Sequence, residues 1–150
     1  RRSEFGFVFQ QHFLIKYLTA LENVMVAAPV QDKAHAAQAR ALLADLGLGD
    51  KLHRFPYELS GGERQRVAVA RAMIHRPRVI FADEPTGLLD RHTGLQVMAL
   101  LRGYSQQGST IAVTHNPEIL AEADLVVTMR DGRVMEMQDR VSRRTQEVMA

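Results

Sequence analysis

The stretch "LSGGERQRVAVARA", Leu59 to Ala72, places two adjacent glycines where a helix starts and then adds three arginines. Glycine costs about 1 kcal/mol relative to alanine inside a helix, so Gly61 and Gly62 weaken the element that Ala68, Ala70 and Ala72 favour. Ser60 and Glu63 have the S-x-x-E spacing of a capping box, but a capping box gains nothing from glycine at both intervening positions. A second use accounts for the bare backbone. Ser60, Gly61 and Gly62 present a hydroxyl and open N–H groups at the positive end of a helix, where a phosphate can approach closely. The helix is expected to run from about Gly61 to Ile74, with Arg64, Arg66 and Arg71 forming salt bridges on its surface.

Outward from this helix the pattern alternates. Upstream, Phe5 to Gln10 reads as a buried strand, and Thr19 with Glu22 forms a T-x-x-E box opening a short helix that Pro29 stops. The alanine-rich run from Asp32 predicts an amphipathic helix that Gly47 ends. Downstream, "RVIFAD" is a continuous apolar run of the kind buried in parallel sheets, followed by a helix from Arg91 to about Tyr104. "STIAVT" is a strand, Pro117 to Glu122 a helix and "DLVVTM" a strand, and Arg130 to Arg133 makes a hairpin turn. The Arg-rich tail from Arg140 is expected to be a surface helix. Such alternation predicts an α/β fold with a mainly parallel sheet and an all-helical insert.

Composition narrows the class. At 150 residues and 46% apolar content the chain suffices for one domain, and no apolar run reaches the ~18 to 20 residues of a membrane span. The absence of cysteine excludes disulfides and thiolate metal sites and favours a reducing cytoplasm. A net charge of +2, with arginines scattered among acids, gives no dedicated nucleic-acid surface.

Three further positions carry chemistry. "VIFADEP" ends an apolar strand in Asp83 and Glu84, at the carboxyl edge where α/β sheets bind ligands. Asp83 there suits Mg²⁺ held through water, and Glu84 suits orienting or deprotonating a water that attacks a γ-phosphate; a plain surface loop is the alternative. In "IAVTHNP", His115 follows a second buried strand, as a hydrogen-bond donor to the γ-phosphate or as a structural histidine. Gln10 ends the first strand, so its amide can reach the same edge.

Taken in order, these stretches resemble the ATP-binding cassette (ABC) ATPase family. "LSGGERQ" matches the signature, "VIFADE" the Walker B strand with its catalytic acid, "GLLD" through Asp90 the D-loop, "VTH" the switch histidine and "FVFQ" the Q-loop. The resemblance runs from Phe5 to about Met137, and "YLTALENV", "DRHTG" and "HNPEILAEADLVVTMRDGRV" are similar to the lipoprotein-release, macrolide and heterocyst exporter ATPases.

The resemblance implies a partial P-loop (RecA-like) sheet with an inserted helical signature subdomain. That subdomain covers about residues 19–75, a core half 76–138 and a surface tail 139–150. It also implies a strand order of Phe5 to Phe9, Val79 to Ala82, Ile111 to Val113, a P-loop strand, then Leu125 to Thr128. The implied activity is ATP hydrolysis coupled to export, with Glu84 as base, Gln10 and His115 as sensors, and Mg²⁺ at Asp83 and Gln10. Ser60, Gly61, Gly62 and Glu63 would face the ATP of a second subunit in a head-to-tail dimer, with Asp90 coupling the two sites. A transmembrane permease is the implied partner, and the cytoplasmic face of the inner membrane the implied location.

None of Lys16, Lys33 and Lys51 lies in G-x-x-x-x-G-K-[ST], the loop whose backbone and lysine hold the phosphates. The chain therefore reads as a piece whose upstream part is missing, inactive by itself. Leu88 in the D-loop and Asn116 after the histidine also depart from the usual pattern. Two other readings stay open: a non-catalytic half that lends its signature to a competent partner, and a soluble ABC ATPase acting on nucleic acid or ribosomes.

Overall fold

Register, more than hydrophobicity, decides how the strands are used. The structure, a computed structural model, describes residues 4–105 and 108–140. Residues 141–150, over which the helix expected from Arg140 would run, lie outside them. The chain divides into two units, Arg1–Val113 and Thr114–Ala150.

In the first unit β1 (Phe5–Val8), β2 (Val79–Asp83) and β3 (Ser109–Val113) form a parallel sheet in the order β1-β2-β3. Phe7 pairs with Phe81 and Phe81 with Ile111. Among the described residues four α-helices accompany it: α1 (Ala20–Met25), α2 (Lys33–Asp45), α3 (Gly61–Met73) and α4 (Arg91–Ser105). In the second unit α5 (Pro117–Glu122) precedes an antiparallel pair, β4 (Leu125–Arg130) and β5 (Arg133–Asp139). Asp131 and Gly132, both at positive φ, make the two-residue turn between them, as the sequence predicts.

Local chemistry fixes the helices. Thr19 caps α1: its N–H donates to Glu22 Oε2 at 2.8 Å, while its hydroxyl accepts from Glu22 N at 3.3 Å. Asp32 accepts from His35 N to start α2, and Gly47, at φ +69°, ends that segment in a left-handed conformation open to glycine. Asn23 in α1 is buried, and its amide meets the carbonyls of Ile15, Leu18 and Thr19 and the N–H of Ile15, so its polarity is fully used.

One side of the sheet carries the core. Val8, Ile80 and Ala82 are buried against Val67, Val69, Met73, Val97 and Leu101 of α3 and α4, each large side chain contributing about 1.5–3 kcal/mol. Gly6 lies under α3 so tightly that a Cβ there would come within 2.5 Å of the Ala72 carbonyl oxygen. The expectation of strands buried on both faces needs correction. Alternation along the strands turns Phe5, Phe7, Phe81, Ile111 and Val113 to the opposite face, where Phe7 remains 48% exposed. The rings stack on one another instead, with Phe7 and Phe81 centroids 5.5 Å apart.

Candidate functional site

The capping box at the start of α3 forms as the sequence predicts. Ser60 has extended backbone; its hydroxyl accepts from Glu63 N at 3.2 Å and its N–H donates to Glu63 Oε2 at 2.7 Å. The other carboxylate oxygen of Glu63 accepts from the Lys51 ammonium. Those two partners, Lys51 first, hold the Glu63 carboxyl at about 2, against its usual 4.5. Both oxygens of Glu63 are thus spent on the architecture of the loop. Lys51, set aside because it lacks a P-loop, is the partner that sequence reasoning missed.

The two glycines serve different ends. A Cβ on Gly61 would meet only the end of the Arg64 side chain, at 4.0 Å, so this face of the helix terminus is open. At Gly62 a Cβ would sit 3.1 Å from Leu89 Cδ2 and 3.2 Å from the Leu88 carbonyl oxygen. The second glycine lets the "GLLD" segment lie directly on the start of α3. Gln65, 1% exposed, reinforces that junction by donating to the Pro85 carbonyl at 3.3 Å, while its buried Oε1 has no hydrogen-bond partner. Asp90 closes the segment by capping α4: its carboxylate accepts from Thr93 Oγ1 at 2.7 Å and Thr93 N at 3.1 Å, bonds that lower its pKa.

At the carboxyl edge of the sheet, Asp83 ends β2 and Glu84 follows at φ +46°. That left-handed conformation is strained for a residue with a side chain, and it is held by Glu84 N donating to the Val113 carbonyl at 2.9 Å and by Gly87 N donating back to the Glu84 carbonyl at 3.1 Å. Gly87 lies beside the acid: a Cβ there would sit in ordinary contact with Glu84, 3.6 Å from its Cβ and its carbonyl oxygen. Val8 pairs with Ala82, so Gln10, two residues past β1 and exposed, belongs to the same edge as Asp83 and Glu84. His115 belongs to the second unit, two residues beyond the end of β3, where Asn116 N donates to Thr114 Oγ1 at 3.1 Å. Asp83 and Gln10 offer only oxygen donors, the set a hard cation such as Mg²⁺ takes. Among the described residues no group of three or more His, Asp or Glu side chains converges on one point.

The expected arginine salt bridges give way to main-chain contacts. Arg64 donates to the carbonyls of Pro56 and Leu59, tying the loop before α3 to the helix. Arg71 donates to the carbonyls of His12 and Phe13, both at 2.7 Å, and the Nε of Arg66 is buried without a hydrogen-bond partner. None of the three takes part in the ion pairs among the described residues, because helix neighbours at i±4 supply no carboxylate in "ERQRVAVARA" beyond the occupied Glu63. His12 was also missed. Its pKa is lowered by burial first and then by the charges of Arg64 and Arg71, and its Nε2 is buried without a partner.

Comparison with known proteins follows the same lines. The sequence model of the family described as ABC transporter matches residues 1–87. An ABC transporter ATP-binding protein of Methanocaldococcus jannaschii, MJ1508, is 48% identical over 141 residues, which cover 91% of this chain and 63% of that protein. The macrolide export ATP-binding/permease protein MacB of Salmonella paratyphi A is 47% identical over 139 residues, 90% of this chain and 22% of MacB. Among solved structures, the ATP-binding cassette MJ0796, described as dimeric and bound to ADP and Pi, superposes with a TM-score of 0.85 at 34% identity, covering 93% of this chain and 64% of that one. The chain thus spans less than two thirds of the length of each of these relatives. A family match over more than half of the residues, laid on a sheet and helices that superpose on a solved cassette, places the chain in the ABC transporter family.

Proposed function

We propose that this chain contributes to the ATP-binding and ATP-hydrolysing subunit of an ABC exporter. The observation that carries the reading is Glu84: an acid at the end of an apolar strand, kept at φ +46° by two backbone hydrogen bonds. Strain of about 1–3 kcal/mol at a carboxylate is retained where geometry serves chemistry. In this reading Glu84 takes the proton of, or orients, the water that attacks the γ-phosphate, and Gln10 and His115 sense that phosphate. Asp83, through water, and the Gln10 amide oxygen would hold Mg²⁺, which would supply neutralising charge to the phosphate oxygens.

The Gly61 N–H and the Ser60 hydroxyl, with Gly62 and Glu63 shaping the turn, face the nucleotide of a second ATPase subunit arranged head to tail. The dimeric state described for MJ0796 supports this. Asp90, capping α4 directly after the segment that packs on Gly62, couples the two sites. A transmembrane permease is the partner that turnover drives, as the name of MacB supports, and the chain works at the cytoplasmic membrane face. No described helix is long and apolar enough to cross a membrane. The exposed Phe13 and Tyr17, between β1 and α1, suit docking of the permease.

The test is Glu84→Gln in the full-length gene product. ATP binding is expected to persist while turnover falls by at least 100-fold, because the base is lost and the phosphate ligands remain. Normal turnover in that variant would remove Glu84 from this role. Residues 1–150 alone, without G-x-x-x-x-G-K-[ST], are expected to show no turnover.

A further inference from the structure

Arg71 has an unusual set of partners. Its guanidinium is desolvated enough to lower its pKa, yet it meets no carboxylate among the described residues. It spends its fork on two consecutive main-chain carbonyls, His12 and Phe13, nearly sixty residues away in sequence. Consecutive carbonyls of an extended chain point in opposite directions, so one fork cannot take both. Phe13 stands at φ +45°, a left-handed turn at the junction between the two carbonyls. The strained residue and the half-buried cation therefore explain each other. The loop they fix begins at Gln10, and the helix they fix it to is capped by Ser60, eleven residues and about 16 Å before Arg71.

We infer that Arg71 is a positioning residue that clamps the Gln10 loop to α3, so that a displacement of that loop carries the Ser60–Gly62 end of the same helix with it. Lysine cannot replace it, because an ammonium is a point donor without a planar fork. Downstream, the Ile15 N–H held by the buried Asn23 amide anchors the loop a second time, so loss of Arg71 frees a short segment rather than the whole connection.

The functional consequence rests on the proposed ATPase reading; the clamp itself does not. Two measurements separate them. Backbone order parameters of His12 and Phe13, from ¹⁵N relaxation of the chain, are expected near 0.85 in the parent. They should fall below about 0.6 in Arg71→Met and lie between in Arg71→Lys, while those of α1 and α3 stay fixed. Unchanged values at residues 12 and 13, or a uniform loss across α1 and α3, would overturn the clamp. Should Arg71→Met not fold, Arg71→Lys decides by the same criterion.

In the full-length gene product, Arg71→Met should lower kcat at least tenfold with ATP affinity within twofold of the parent. An unchanged kcat beside a loosened loop would overturn the coupling. Absence of turnover in the parent would overturn the ATPase reading and leave the relaxation result to decide the clamp.

Discussion

Replacing Lys51 by methionine tests the architecture of the signature loop at its most charged point. The Lys51 ammonium and the Ser60 N–H together hold Glu63 at about 2, against its usual 4.5. A folded-state pKa below the unfolded one contributes stability that is complete above pH 4.5 and is lost as pH falls towards 2. At about 1.4 kcal/mol per pKa unit the displacement sets a ceiling of about 3 kcal/mol. Lys51 is 35% exposed, however, and screening by water reduces the return of such a pair to about 1 kcal/mol.

Lys51→Met removes the first cause and keeps the second. The Glu63 pKa should rise yet stay below 4.5, since the Ser60 N–H still donates to it, and stability at pH 7 should fall by about 1 kcal/mol. Carboxyl ¹³C titration by NMR follows the pKa, and urea unfolding at pH 7 follows the stability. A double-mutant cycle with Glu63→Gln isolates the pair. A Glu63 titration in Lys51→Met identical to the parent's would refute the assignment of Lys51 as the main cause.

The two glycines should respond differently to alanine. Gly61→Ala enters open space and should raise thermal stability by about 0.5–1 kcal/mol through helix propensity, whereas Gly62→Ala pushes on the Leu88 carbonyl and should gain less or lose, as calorimetry of the pair will read. His12, kept neutral by burial and two arginines, has a folded pKa below 6.5, so the unfolded chain takes up a proton before the native one does. Native stability should therefore decline as pH drops below 6.5, and His12→Gln should flatten that decline in urea midpoints measured at pH 7.5 and 5.

What the sequence disclosed was whatever depends on neighbours within one turn. The T-x-x-E and S-x-x-E boxes, the helix end at Gly47 and the Asp131-Gly132 turn are short-range chemistry, and each formed as read. The strand order β1-β2-β3 followed from the resemblance, and the common edge of Gln10, Asp83 and Glu84 from their places at the ends of apolar strands. Arg64 and Arg71 were misread because their partners are carbonyls, which every residue owns and no motif marks. Gly62 looked like its neighbour because a close approach by Leu88 and Leu89 appears only once the chain is folded. The exposed aromatic face escaped notice because a run such as "VIFAD" is equally apolar on both sides.

The pairing of β1 with β2 has a bearing on assembly. Phe5 meets Val79, so the first ladder of the sheet joins positions about seventy residues apart, and closing a flexible loop of that length costs ~4 kcal/mol of chain entropy before any strand bond forms. The intervening chain is not flexible once α1, α2 and α3 have packed on one another, and α3 lies against Gly6 in β1. Forming the helical segment first shortens the open loop and delivers β1 to β2 already docked. This predicts that the helices form the template on which the parallel sheet is laid, and pulsed hydrogen exchange should show protection of Val67 to Ala70 ahead of Gly6 to Val8.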